Sequence, residues 1–175
     1  MRTDTPKTIY LKDYKPYPFK ISSLDLNFDI HDGHTIVTAT SEIERVDAAA
    51  KDIFLNGENL ELLSVKIDGQ TVSDYEQSDN ALSIPCSADK LKLEIQTKII
   101  PEENTRLEGL YRSGDTYCTQ CEAEGFRSIT YYPDRPDVLT IFTVRVEADK
   151  SLPVLLSNGN KVEDGDAGDG RHFVK

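Results

Sequence analysis

The chain is 175 residues long, with 20 Lys+Arg against 31 Asp+Glu, a formal net charge of −11, 38% hydrophobic residues and no Trp. That length supports one domain around a single core, so residues 1–175 are expected to form a single β-rich unit. The acidity excludes a polyanion-binding role, because phosphate recognition rests on Lys and Arg neutralising charge, and nucleic acid is not expected as a partner.

No run approaches the ~20 apolar residues a membrane helix needs, and Met1-Arg-Thr-Asp-Thr-Pro6 has no apolar segment behind it resembling a signal peptide. A soluble, cytoplasmic protein with no membrane contact is expected. Cys86, Cys118 and Cys121 make an odd set, which suits a reducing compartment better than a disulfide framework.

Period-two alternation dominates from residue 24 onward. Leu24, Leu26, Phe28 and Ile30 share one face of a strand that ends at the Asp32-Gly33 turn pair, and Val37, Ala39, Ser41 and Ile43 line the return strand. A short turn over Asp47–Lys51 leads to Ile53-Phe-Leu55, which stops at the turn pair Asn56-Gly57. Leu63, Val65 and Ile67 then alternate up to Asp68-Gly69, and Ala81–Ile84 ends at Pro85. Leu91, Leu93, Ile95, Thr97 and Ile99 oppose Lys92, Glu94, Gln96 and Lys98, the pattern of a sheet with one wet side, closed by Pro101. Phe142, Val144 and Val146 oppose Ile141, Thr143 and Arg145, and Leu152-Pro-Val-Leu-Leu156 running into Ser157-Asn-Gly-Asn160 predicts one more hairpin. The acidic, glycine-rich run Glu163–Gly170 lacks the spacing of a calcium loop and reads as a solvated hairpin loop. Arg171–Lys175 reads as a strand only begun, so an excised piece of a longer chain is expected. Short strands with turn signals every eight to twelve residues predict an all-β, antiparallel multi-sheet sandwich.

The chemistry concentrates in Cys118-Thr-Gln-Cys-Glu-Ala-Glu-Gly-Phe-Arg127 and the Ser128–Asp137 run that follows. Cys118-x-x-Cys121 matches a redox pair in spacing, but its surroundings carry β signals rather than a strand-to-helix context. A structural zinc site wants four ligands, and no second Cys or His pair stands nearby. His31, His34 and His172 read as ordinary surface histidines. Cys121 reads as a packing residue, Glu124 and Arg127 as a local pair, and Asp134, Arg135 and Asp137 as a charged clamp around two prolines. Tyr131 and Tyr132 read as buried tyrosines whose hydroxyls are satisfied at an edge.

Leu55-Asn-Gly-Glu58, Asn104-Thr-x-Leu-Glu-Gly-Leu-Tyr111, the Cys118–Asp137 run and Leu155-Leu-Ser-Asn-Gly-Asn160 resemble, in order and spacing, the N-terminal domain of the zinc-dependent aminopeptidase N family. The likeness extends from about Tyr10 onward. It implies a saddle-shaped all-β domain that precedes a thermolysin-like catalytic domain, with that domain as its partner, and contributes a wall of the active site. It implies further that Glu122 pairs with the α-ammonium group of a peptide substrate and that Gln120 adds a hydrogen bond. An ionised carboxylate in a closed pocket rewards a charged amine and is left unpaired by a mid-chain amide. The family's His-Glu-x-x-His, its distant Glu ligand, its Gly-x-Met-Glu-Asn motif and its transition-state tyrosine belong to the next domain. None is recognised in these residues, so this chain is expected to hold no zinc, to carry no catalytic residue and to be inactive alone. The competing reading from composition is a β-sandwich binding or scaffold module.

Overall fold

β1 (Phe19–His31) and β2 (His34–Arg45) form the long hairpin expected at Asp32-Gly33, with His31 opposite His34. The computed structural model describes Thr8 and residues 10–175, so the Met1–Pro6 stretch inspected for a targeting signal lies outside the described residues. Then come β3 (Asp52–Asn56), β4 (Glu61–Ile67), β5 (Gln70–Thr71), β6 (Glu76–Ser78), β7 (Ala81–Pro85) and β8 (Lys90–Ile99). The series closes with β9 (Gly109–Ser113), β10 (Thr116–Gln120), β11 (Ile141–Asp149), β12 (Asp164–Gly168) and β13 (Arg171–Val174). Helical structure among the described residues amounts to single 3-10 turns at Leu11–Asp13, Pro101–Glu103 and Phe126–Ser128. The fold is all-β.

Eight strands make one sheet in the order β12-β13-β11-β1-β2-β8-β4-β5, three make a second in the order β3-β7-β6, and β9 pairs with β10 alone. The alternation read from the sequence sets the core. Leu24, Leu26, Phe28 and Ile30 of β1, Val37, Ala39 and Ile43 of β2, and Leu91, Leu93, Ile95 and Ile99 of β8 are buried in one cluster with Ile53, Leu55, Leu82 and Ile84 of the second sheet. The opposite face of β8 stays wet, with Glu94 paired to Lys66 at 2.7 Å and Lys98 to Glu61 at 3.0 Å. Such exposed pairs contribute at most about 1 kcal/mol, so the buried face holds the sheet. Among the described residues, no helix is long and apolar enough to cross a membrane.

The structure departs from the sequence reading in five places. β11 runs parallel to β1, with Ser23 opposite Ile141 through Asp29 opposite Glu147, so the main sheet is mostly rather than wholly antiparallel. A parallel neighbour needs a long connection, and the 121–140 segment helps to supply it. Leu63 is 42% exposed while Val65 is 1% exposed, because a register shift between Leu62 and Ser64 breaks the alternation of β4. Asn56-Gly57 does not turn a hairpin: β3 pairs with β7 and β4 with β8, so this pair marks a passage between sheets. Leu152–Leu156 forms no strand, Val154 and Leu156 are exposed, and the hairpin lies further on as β12–β13. Pro153 has no N–H to give a ladder. The acidic glycine-rich run is itself strand β12 and the turn at Asp169-Gly170, where both residues have positive φ.

Candidate functional site

Gln120 is the last residue of β10, opposite Gly109 of β9, and the chain then leaves the hairpin through Cys121, Glu122, Ala123 and Glu124. The side chains of Gln120 and Glu122 are exposed, and Gln120 Nε2 donates to the Glu122 carbonyl at 3.2 Å. The structure therefore brings the two residues together at one loop tip, with the Glu122–Ala123 peptide bond cis. Gly125 closes the turn by donating its N–H to Cys121 O at 2.9 Å. A Cβ at this position would lie 2.4 Å from Gln120 O and 3.2 Å from Cys121 Cα, so only glycine lets the loop fold back this tightly.

Beneath the tip the loop is tied down by charge. Arg127 is 12% exposed at its side chain, and Nε donates to Asp134 Oδ2 at 3.0 Å while Nη2 donates to the Asp134 carbonyl at 3.1 Å. Its Nη2 also meets Glu124 Oε1 at 3.2 Å, and Nη1 lies 3.9 Å from Glu58 Oε1. The Glu58 N–H donates to Arg127 O at 2.9 Å. Arg106 continues the chain of charges, donating to Glu58 Oε2 at 3.1 Å and to Glu108 Oε2 at 2.6 Å. Arg127 and Glu124 thus pair as the sequence implied, but as part of a network the sequence reading did not contain. The signal for Glu58 and Glu108 was their place in stretches that resemble the same family, whereas Arg106 stood at a position of its stretch that the resemblance left unspecified.

The backbone carries a second set of ties. Asn56 and Tyr132 form an isolated antiparallel bridge, with N–H to O distances of 2.9 and 3.0 Å, and Asn56 Oδ1 accepts from the Asp134 N–H at 3.2 Å. Gly57 lies against the Tyr131 ring, where a Cβ would fall 2.2 Å from Cε1. Tyr131 and Tyr132 are buried, and Tyr131 Oη accepts from Gln77 Nε2 at 3.0 Å. Burial pushes the Tyr132 hydroxyl up to about 12. The expected clamp of Asp134, Arg135 and Asp137 forms only in part: Arg135 grips Asp137 with Nε and Nη2, both at 2.8 Å, and Nη2 also reaches Lys15 O at 2.7 Å, whereas Asp134 turns to Arg127.

The hairpin carrying Gln120 has its own anchor. Tyr117 donates to Glu102 Oε1 at 2.6 Å, and the Arg112 guanidinium lies 5.4 Å over the Tyr117 ring. Burial first, then the Glu102 carboxylate, push the Tyr117 hydroxyl up to about 12. The three cysteines are free thiols. Burial, aided by Asp134, pushes the Cys121 thiol up, the opposite of the depression that activates a redox cysteine. Among the described residues, no group of three or more His, Cys, Asp or Glu is placed to hold a metal ion, so these residues do not fit a zinc centre.

A family model described as the Peptidase M1 N-terminal domain matches residues 13–175. The chain belongs to that family. This M1 domain is 47% identical to the aminopeptidase N of Caulobacter vibrioides over 177 residues, which cover 100% of this chain and 20% of that protein. It is 47% identical to the aminopeptidase N of Escherichia coli over 174 residues, covering 99% of this chain and 20% of that protein. The chain spans about one fifth of the length of the curated relatives it matches. Among solved structures it superposes on Legionella pneumophila aminopeptidase A in complex with aspartic acid with a TM-score of 0.87 and 30% identity, over 94% of this chain and 20% of that one. An M1 zinc metallopeptidase from Deinococcus radiodurans shares the fold, at a TM-score of 0.75 and 17% identity over 90% of this chain and 38% of that one.

Proposed function

We propose that this M1 domain serves a zinc aminopeptidase as the wall that binds the substrate's amino terminus, with Glu122 accepting the α-ammonium group and Gln120 adding a hydrogen bond. The observation that carries this reading is the contrast within one loop: its base is held by Arg127, Asp134 and Asn56, while Gln120 and Glu122 stand exposed at its tip. Binding groups work best when a rigid scaffold holds them in place, open to the ligand. The aminopeptidase relatives support the substrate class. In this account residues 1–175 form one domain of a longer chain, and the zinc and its ligands belong to the part beyond it. The three free thiols fit a reducing, cytoplasmic setting.

The test is Glu122→Gln in the full-length enzyme, which keeps the shape of the side chain and removes its charge. A hydrogen bond to a charged group contributes about 1.5–3 kcal/mol, so kcat/KM for free-amine peptides should fall about 10- to 150-fold. Gln120→Ala should cost less, because a neutral partner contributes about 0.5–1.5 kcal/mol. Zinc content and melting temperature should stay at wild-type values. Wild-type kinetics for Glu122→Gln would make this carboxylate a surface group.

A further inference from the structure

The guanidinium of Arg127 sits where three parts of the structure meet. One of its carboxylate partners, Glu124, is two residues beyond Glu122 on the exposed limb of the loop, at 3.2 Å. Another, Asp134, lies on the returning limb and is held through both its side chain and its carbonyl. The third, Glu58, follows the exit of β3, at 3.9 Å, and its N–H is bound to Arg127 O. One planar fork therefore ties both limbs of the loop to the second sheet. The geometry uses what distinguishes arginine from lysine, which is several donors in fixed directions around one delocalised charge.

The charge balance strengthens the argument. Glu58, Glu124 and Asp134 converge on Arg127, and Glu122 lies on the same turn, so removing the guanidinium takes away the charge that draws the Glu124 limb toward Asp134, while Glu58 keeps its pairing with Arg106. Asp134 is 13% and Glu58 16% exposed at their side chains, where repulsion is weakly screened. The relief open to such a cluster is for the Glu124 limb, 50% exposed, to swing into solvent. Glu122 would move with it.

We propose that Arg127 is a positioning residue for substrate binding, holding the Glu122 carboxylate at the place where the α-ammonium group docks. The proposal rests on the role assigned above to Glu122, and a double-mutant cycle in the full-length enzyme separates the two. Arg127→Met should lower kcat/KM for aminoacyl anilides on the order of 10-fold, mainly through KM, within the range that contacting residues show when coupled. In a Glu122→Gln background the same substitution should cost less than about 2-fold, since the group it positions is gone. Equal losses in both backgrounds, or no loss in either, would overturn the proposal while leaving the role of Glu122 intact. Wild-type kinetics for Glu122→Gln alone would overturn both. Where Arg127→Met does not fold, Asp134→Asn carries the cycle. It weakens the grip on Nε while keeping the side-chain shape, and its loss should likewise collapse in the Glu122→Gln background. An undiminished loss there counts against the proposal.

Discussion

Gly57→Ala tests how the second sheet supports the loop. The new Cβ would meet Tyr131 Cε1 at 2.2 Å, Cδ1 at 2.3 Å and Leu60 Cδ1 at 3.1 Å, whereas carbon atoms in contact prefer about 3.5–4 Å. The Tyr131 ring is 4% exposed and must shift by more than about 1 Å within a packed interior to make room. Overpacking of this kind costs about 1–3 kcal/mol. Moving Tyr131 also drags Tyr132, whose two backbone hydrogen bonds to Asn56 contribute about 0.5–1.5 kcal/mol each. With one of them lost, the total is about 2–4 kcal/mol. At about 2–4 °C per kcal/mol for a domain of this size, the melting temperature should drop by roughly 4–16 °C in a thermal scan of this chain followed by circular dichroism. Gly114→Ala is the control, because Gly114 has a positive φ but no atom within 4 Å of its Cβ position. It should cost only the left-handed penalty of about 1 kcal/mol. A Gly57→Ala scan no lower than that of Gly114→Ala would refute the reasoning.

Other expected outcomes follow from the anchors and the register. A tyrosinate absorbance titration should find Tyr117 ionising near about 12, so the stability it contributes is complete below its ordinary value of 10.0 and lost as pH rises through about 12; Glu102→Gln should bring this midpoint down, and an unmoved midpoint would contradict the Tyr117–Glu102 hydrogen bond. Burial works to raise the Glu147 carboxyl, but hydrogen bonds from Arg171 and Arg145 outweigh it and hold the group below its ordinary 4.5. Its contribution is therefore present above that value and lost as pH falls through the lower folded one, so Glu147→Gln should flatten the acid limb of a stability profile measured by urea unfolding. Leu63→Ser should change the unfolding midpoint by less than about 0.5 kcal/mol, and Val65→Ala should cost at least about 1 kcal/mol; the reverse order would contradict the register shift in β4.

Local pattern carried the fold where neighbours in sequence are neighbours in space. The alternation at Leu24–Ile30 and Leu91–Ile99, with turn pairs at Asp32-Gly33 and Asp68-Gly69, read correctly because hairpin pairing and burial leave their mark within a few residues. The parallel pairing of β1 with β11 leaves no such mark, since nothing within Ile141–Asp149 names a partner so distant in the chain. Asn56-Gly57 misled for the opposite reason: a turn pair was chosen there for close approach to Tyr131 rather than for turning. In the loop, Glu124 and Arg127 were legible as an i,i+3 pair, while of the clamp expected from Asp134, Arg135 and Asp137 only the Arg135–Asp137 half forms. The convergence of Glu58, Arg106 and Asp134 was not, because charges on separate elements meet only once the sheets are assembled. Gln120 and Glu122 were picked out by resemblance to a family, and their shared position at the loop tip is a product of the Gly125 turn.

The most direct measurement is calorimetric binding of a free amino acid amide and of its N-acetyl counterpart to the full-length enzyme, with and without Glu122→Gln. The wild type should prefer the free amine by about 10- to 150-fold, the worth of one hydrogen bond to a charged group, and the variant should lose most of that preference. An undiminished preference in the variant would contradict the assignment of amine recognition to Glu122.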